Sequence, residues 1–190
     1  RLRDFMLAST DLMGSVATFV APIANASLAL PPVKAVMDCT LGVDKHRTFP
    51  KYSSQKFVTW FRKHARKAQD AFPKKVSYFH GCYANYNFPQ LAKDFVTVMN
   101  AVGYGVNLLE DEKCCGVALI SNGFKKRATK QAKTNLAALR EAVGRGEPVL
   151  TTSSTCTFTI RDEYAHMLGL DNSDVRDSVM LAVRFLFNLV

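Results

Sequence analysis

Four of the chain's five cysteines stand where they could act together: Cys82, the adjacent pair Cys114–Cys115, and Cys156. Each follows a short apolar run that reads as a β-strand. Cys82 comes three residues after Phe79, Cys114 and Cys115 five and six after Leu109, and Cys156 five after Thr151. In an open parallel sheet the loops beyond the carboxyl ends of the strands converge on one crevice, so thiols remote in sequence can meet there. Thiolates at that density repel one another unless a cation neutralises them, which makes metal ligation the natural chemistry. Four cysteines can complete a tetrahedral zinc site or hold a 4Fe–4S cluster. The spacing leans toward the cluster: there is no Cys-x-x-Cys knuckle, and an adjacent pair reaches two irons more easily than one zinc. Zinc stays open on these grounds.

Two other residues bear on this set. His80 could complete a Cys3His zinc site or donate a hydrogen bond to a sulfur, although a histidine beside a glycine turn more commonly satisfies a backbone carbonyl. Cys39 lies apart, in an expected helix, and reads as a buried free thiol.

The elements that must position the thiols are legible from Lys75 onward. Val76–Phe79, Val106–Leu109 and Pro148–Thr151 read as strands, with helices between them at about Pro89 to Ala101 and Gly123 to Val143. Pro89 is placed to open the first helix, and Gly103 and Gly105 to end it and turn the chain. Right-handed crossovers make the three strands parallel, giving a small α/β sheet with flanking helices. A last amphipathic helix is expected from Ser173 to Leu189. That pattern runs up to Val190, and with Arg1 at the start the sequence reads as a piece of a longer polypeptide.

Residues 1 to 74 read as a separate basic, helical segment, and residues 75 to 190 as the cysteine-bearing domain. The 190-residue chain is 48% hydrophobic, enough to bury a core. Its net charge of +9 is uneven: residues 1 to 76 hold 13 Lys and Arg against 5 Asp and Glu, the remainder 12 against 11. Such a bias suits an acidic partner, an anionic membrane surface or nucleic acid, and does not choose among them. Leu12 to Val33 carries no charge but is diluted by polar residues and prolines, so two short apolar helices are expected rather than a span. One enters through Ser9, Thr10 and Asp11 and bends at Pro22; the other starts at Pro31–Pro32 and stops near Gly42. Phe57, Trp60, Phe61 and His64 recur at helical spacing among basic residues, a stripe for the core or for docking. Lys125, Lys126, Arg127, Lys130 and Lys133 form a second basic run, read as a solvated face.

Several functions find no support. There is no P-loop and no hydrolase elbow, Gly103–Tyr104–Gly105 is an incomplete glycine pattern, and no nucleic-acid motif accompanies the basic charge. An odd cysteine count with an adjacent pair fits a reducing compartment better than a disulfide framework. No targeting segment is readable near Arg1.

The stretches His80–Gly81–Cys82, Cys114–Cys115–Gly116 and Ser153–Ser154–Thr155–Cys156 together resemble the cysteine-rich CCG domain family. With Thr10–Val16, Asn85–Asn87 and Thr152–Phe158 the resemblance is nearest to the iron–sulfur subunits of anaerobic glycerol-3-phosphate dehydrogenases. It implies an electron carrier rather than an enzyme acting alone, with a 4Fe–4S cluster on Cys82, Cys114, Cys115 and Cys156. It further implies flavin-containing catalytic subunits as donors and a membrane quinone, menaquinone in particular, as acceptor. The place implied is the cytoplasmic face of the bacterial inner membrane, attached peripherally through residues 12 to 30 and the basic helix. One departure matters: the fuller family motif ends in Cys-x-x-Cys, and here its first position is Ser153. Four thiolates in place of five argue against the larger noncubane cluster of heterodisulfide reductase and its direct substrate chemistry. They leave a 4Fe–4S cluster, a zinc ion or a vacant site, the last two making this a structural or docking domain of the same complex, with Ser153 as a weak ligand or hydrogen-bond donor.

Overall fold

The computed structural model of the chain describes Asp4 and residues 8–189. Four strands form one sheet in the order β2-β1-β3-β4: β1 Lys74–Phe79, β2 Tyr104–Leu108, β3 Val149–Thr151 and β4 Val179–Leu181. Every pairing is parallel, with Val76 opposite Val106, Ser77 opposite Val149, and Val149 opposite Val179. The three strands expected from the sequence are present. The fourth corrects the helix expected over Ser173 to Leu189. That stretch divides into a 3-10 turn Arg176–Ser178, the edge strand β4 and a short helix Ala182–Phe187. Only three residues make β4, too few for a period-2 signal to stand out from the surrounding apolar pattern.

Both faces of the sheet are covered, as parallel sheets require. On one face the helix Lys125–Gly144 lays down Ala128, Ala132, Leu136, Leu139 and Ala142 against Phe79, Val149 and Val179. The other face carries the helix Pro89–Ala101, through Ala92, Phe95, Val96 and Met99, and a helix through Phe57–Trp60, a π-helical turn Phe61–Ala65 and Arg66–Gln69. We label these helices α4 (Phe57 to Gln69), α5 (Pro89–Ala101) and α7 (Lys125–Gly144), with α6 the short helix Val117–Ser121. Phe57, Phe61, Ala65 and Gln69 are buried at a four-residue spacing, while His64 is exposed and the Lys93 ammonium lies 5.0 Å over the Trp60 ring. The aromatic stripe of α4 therefore serves the core: Phe57 packs edge-on against Tyr78 of β1, and Tyr78 stacks on Phe95.

Between Ser9 and Gly42, where two helices were expected, the described residues form three: α1 Thr10–Phe19, α2 Ala21–Ala29 and α3 Pro31–Leu41. The chain turns at Val20, not at Pro22, because a proline in the first turn of a helix starts it without breaking a hydrogen bond. α1 packs on the π-helical turn Tyr83–Asn87, where a side chain at Gly14 would meet the Tyr86 ring at 2.5 Å. Among the described residues no single helix is long and apolar enough to cross a membrane; α1 and α2 are apolar enough together but meet at 106°. Cys39 is exposed on α3, which corrects its reading as a buried thiol: no residue of that helix is buried.

Candidate metal centre

The loops that follow β1, β2 and β3 bring Cys82, Cys114, Cys115 and Cys156 to one edge of the sheet, where all four line a single cavity of about 430 Å³. Cys82 Sγ lies 3.6 Å from Cys114 Sγ, and contacts continue from Cys114 to Cys115 and from Cys115 to Cys156. Leu91, Val117 and Tyr83 supply apolar wall beside the thiols. Among the described residues, no group of three or more His, Cys, Asp and Glu side chains is arranged to hold a single metal ion as it stands; the sulfurs form a chain of contacts.

Backbone conformation makes this approach possible. Gly81 has φ 68°, and a Cβ there would stand 3.2 Å from Cys156 Sγ, so the first loop passes directly against the third cysteine loop. Left-handed φ of that kind is inexpensive only for glycine. Gly116, at φ 92°, turns the chain from the double cysteine into α6. Cys156 sits within the helical turn Ser154–Phe158, whose N-cap is Ser153; the Ser153 Oγ accepts the Cys156 N–H at 3.3 Å.

Hydrogen bonds hold the double cysteine from three directions. Gln131 Nε2 and Asn135 Nδ2 donate to the Cys114 carbonyl at 2.6 and 3.2 Å, and the Tyr164 hydroxyl donates to the Cys115 carbonyl at 2.9 Å. Asn135 also accepts the Lys113 N–H at 2.8 Å and donates to the Tyr164 oxygen at 3.0 Å. Asp11 reaches across 103 residues of sequence to accept the Cys114 N–H at 2.8 Å. Glu112 ties the first two loops together: its Oε1 accepts the Gly81 N–H at 2.8 Å and its Oε2 the His80 N–H at 3.2 Å.

The thiols share protons unevenly. Hydrogen bonds from Cys115 and then Cys82 hold Cys114 well below the ordinary thiol range, and a bond from Cys115 lowers Cys156. Cys82 is pushed far up by its bond to Cys114 and by burial, and Cys115 well up by its bonds to Cys114 and Cys156. Four crowded sulfurs push one another's ionisation in opposite directions, because full ionisation needs a cation among them. Four soft donors, a glycine where the backbone meets sulfur, and room beside the sulfurs fit a thiolate-bound metal or iron–sulfur group.

All four cysteines singled out from the sequence come together at this site. Ser153 is placed beside Cys156, as an amide acceptor. Burial holds the His80 imidazole down at about 4, so its 3.2 Å approach to Glu112 Oε1 is the contact of a neutral ring; its Nδ1 also lies 3.0 Å from the Gly81 carbonyl. That is the carbonyl role expected of it. Sequence reasoning missed Asp11, Glu112, Gln131, Asn135 and Tyr164 as supports of the site. Asn135 left a trace, being a polar residue on the otherwise apolar stripe of α7. Asp11 reads from the sequence as a helix cap, but no side-chain cap bond forms at the start of α1.

Residues 76–161 match the family model of the CCG cysteine-rich domain. The chain is 53% identical over 98% of its length to the C subunit of anaerobic glycerol-3-phosphate dehydrogenase from Escherichia coli, covering 47% of that protein. It is 30% identical over 58% of its length to lactate utilization protein A 2 of Bacillus cereus, covering 44% of it. The chain thus spans about half the length of the curated relatives it matches. No solved structure matches it.

Proposed function

Residues 76–161 of this chain belong to the CCG cysteine-rich domain family, and from that membership we propose that Cys82, Cys114, Cys115 and Cys156 hold a 4Fe–4S cluster through which electrons pass. The chain then serves as an electron-transfer part of an anaerobic glycerol-3-phosphate dehydrogenase, not as a catalyst in its own right. The observation that carries this reading is the meeting of four thiols from three strand ends in one cavity. Such a cluster, when bound, takes and gives one electron at a time. The chain's own residues do the rest. The four sulfurs ligate, Gly81 lets the backbone close on them, and Gln131, Asn135 and Tyr164 fix the carbonyls of the double cysteine.

The 53% identity to the Escherichia coli C subunit over nearly the whole chain supports a place among the subunits of such a dehydrogenase; in this proposal flavin-containing catalytic subunits stand upstream and a membrane quinone downstream. The likeness to lactate utilization protein A 2 supports the cysteine-rich domain as a unit used with different substrates. Residues 75 to 190 form the cysteine-rich domain in this reading, and residues 1 to 74 a docking segment whose part nearest the sheet completes its core. Peripheral attachment to the cytoplasmic face of the inner membrane is supported by the exposed side chains of Leu12, Val16, Phe19 and Ile23 on α1 and α2. Apolar burial joined to attraction between basic residues and anionic lipid drives such attachment. Zinc is the second reading, favoured by one feature: with Ser153 in the family's cysteine position, the donors number the four that tetrahedral zinc takes.

The test uses the assembled, anaerobically purified complex. Glycerol 3-phosphate should reduce a cluster seen by electron paramagnetic resonance, and Cys156→Ser should abolish or alter that signal. A complex that passes electrons to quinone equally well with all four cysteines replaced would overturn the relay. Flotation with anionic vesicles at low and high salt checks the attachment, and no binding under either condition removes it.

A further inference from the structure

β2 is an edge strand, and only one end of its free edge is closed. The Val106 N–H turns away from β1 to donate to Gln69 Oε1 at 2.9 Å, and Asn100 Nδ2 donates to the Tyr104 carbonyl at 2.9 Å. The Lys75 ammonium bonds to the Gln69 carbonyl, and a Cβ at Gly105 would meet that same oxygen at 2.9 Å, so this end is sealed. Peptide groups two residues apart in a strand face the same edge, so the Leu108 N–H and carbonyl point outward as the Val106 N–H does. There the edge opens into a groove of about 350 Å³. Val106 to Leu109 form its floor, α4 one wall through Arg62 and Arg66, and α7 the other through Ala138 and Glu141. Asp70 and Glu110 also line it, and among the described residues neither arginine and none of these three acids forms an ion pair. An unpaired strand edge invites another strand, and folds blunt it for that reason. Here the blunting by Gln69 and Asn100 stops at Val106.

Resting on the reading above that the chain works within a dehydrogenase complex, we infer that this groove receives an extended polypeptide segment of another subunit, added as a strand along β2 beyond Val106. The open edge supplies main-chain hydrogen bonds to such a segment, and the walls select its side chains. Charge narrows the occupant. Arg62 and Arg66 stand one turn apart on one wall, while Glu141 stands on the other and Glu110 at the end of the floor. A lipid headgroup layer or a nucleic-acid backbone, negative throughout, is drawn to the arginines but repelled by the acids; a polypeptide carries both signs and can satisfy both. An acidic side chain toward α4 and a basic one toward α7 is the pattern the groove fits. Position adds a consequence for the thiols: β2 runs directly into the double-cysteine loop, with Leu109 five residues before Cys114, so the docked segment lies beside the strand that carries that loop.

The experiment uses the full, anaerobically purified complex. A benzophenone-bearing residue in place of the exposed Glu141 serves as a photo-cross-linking probe, and hydrogen exchange over residues 104–110 is followed by mass spectrometry. Both are repeated with Arg62→Glu and Arg66→Glu together, and with Lys63→Glu and Lys67→Glu together, the same charge change on exposed residues of α4 outside the groove. The expected result is a cross-link to one short stretch of another subunit. It is lost in the arginine variant, where exchange over residues 104–110 becomes about tenfold faster, the change that one hydrogen bond of ordinary net strength supports. The lysine variant changes neither. Cross-links only to lipid, to a second copy of this chain or to another part of the same polypeptide would overturn the inference. So would equal effects of the two charge reversals, or exchange that stays the same when the cross-link is lost. Other subunits retained with no cross-link at the groove overturn this inference alone. Wild type that purifies with no other subunit overturns the reading of the chain as part of a complex and this inference with it.

Discussion

Replacing Asn135 with Ala should destabilise the fold by about 3 kcal/mol, because this fully buried side chain makes three bonds worth roughly 1 kcal/mol each. The partners fare differently. The Cys114 carbonyl keeps Gln131 and the Tyr164 hydroxyl keeps the Cys115 carbonyl, while the Lys113 N–H loses its side-chain acceptor. Gln131→Ala removes one partly buried bond and should cost about 1 kcal/mol. Urea unfolding of the metal-free chain, followed by circular dichroism, reads the difference. With a slope of about 2 kcal/mol per molar, Asn135→Ala moves the midpoint down by about 1.5 M, and Gln131→Ala by about 0.5 M. Tyr164→Phe should couple to Asn135→Ala in a double-mutant cycle, since the two share a bond. A loss below about 1 kcal/mol for Asn135→Ala, or one no larger than that of Gln131→Ala, would refute the assignment of Asn135 as the anchor of the double cysteine.

Three further outcomes follow from the geometry. Gly81→Ala forces a side chain into left-handed backbone and against Cys156 Sγ, and should cost about 1–2 kcal/mol in a thermal or urea melt while lowering metal occupancy measured by elemental analysis. Phe57→Ala, at a fully buried position, should cost about 3–5 kcal/mol by the same melt, whereas His64→Ala on the exposed face of α4 should stay within about 0.5 kcal/mol. Glu147 is held below the usual carboxylate range by bonds from Arg145, Ser77 and Asn107 that outweigh its burial. A depressed carboxyl stabilises the fold above its unfolded value and loses that contribution as pH falls through its folded value. The stability gap between wild type and Glu147→Gln, about 1–2 kcal/mol at pH 7, should therefore shrink below about pH 4.5 in melts run across pH. A gap that stays constant down to about pH 3 would contradict this.

The thiol site was legible because its physics is local. Each cysteine follows an apolar run of strand length, and a parallel sheet delivers its strand ends to one edge. Three strands, α5 and α7 were readable for the same reason, from periodicity and from Pro89 and the glycines that bound the elements. β4 was hidden because three apolar residues beside a short helix mimic a longer amphipathic helix. The supporting shell was illegible for a different reason. Asp11 and Cys114 meet across 103 residues, and no spacing rule links a helix start to a loop that far away. Glu112 lies two residues before the double cysteine, but its role depends on the first loop arriving from β1, which only the sheet order decides. For α4 the stripe was clear and its destination was not: Phe57 and Phe61 suit a core or a membrane equally until β1 and α5 are in place to receive them.

The most direct test is the iron, sulfide and zinc content of the anaerobically purified protein, beside a variant carrying Cys82→Ala, Cys114→Ala, Cys115→Ala and Cys156→Ala. Iron and sulfide are expected in equal amounts, about four of each per chain, and neither in the variant. One zinc per chain with no sulfide, or iron and sulfide that survive loss of all four cysteines, would contradict the assignment of a 4Fe–4S cluster to these thiols.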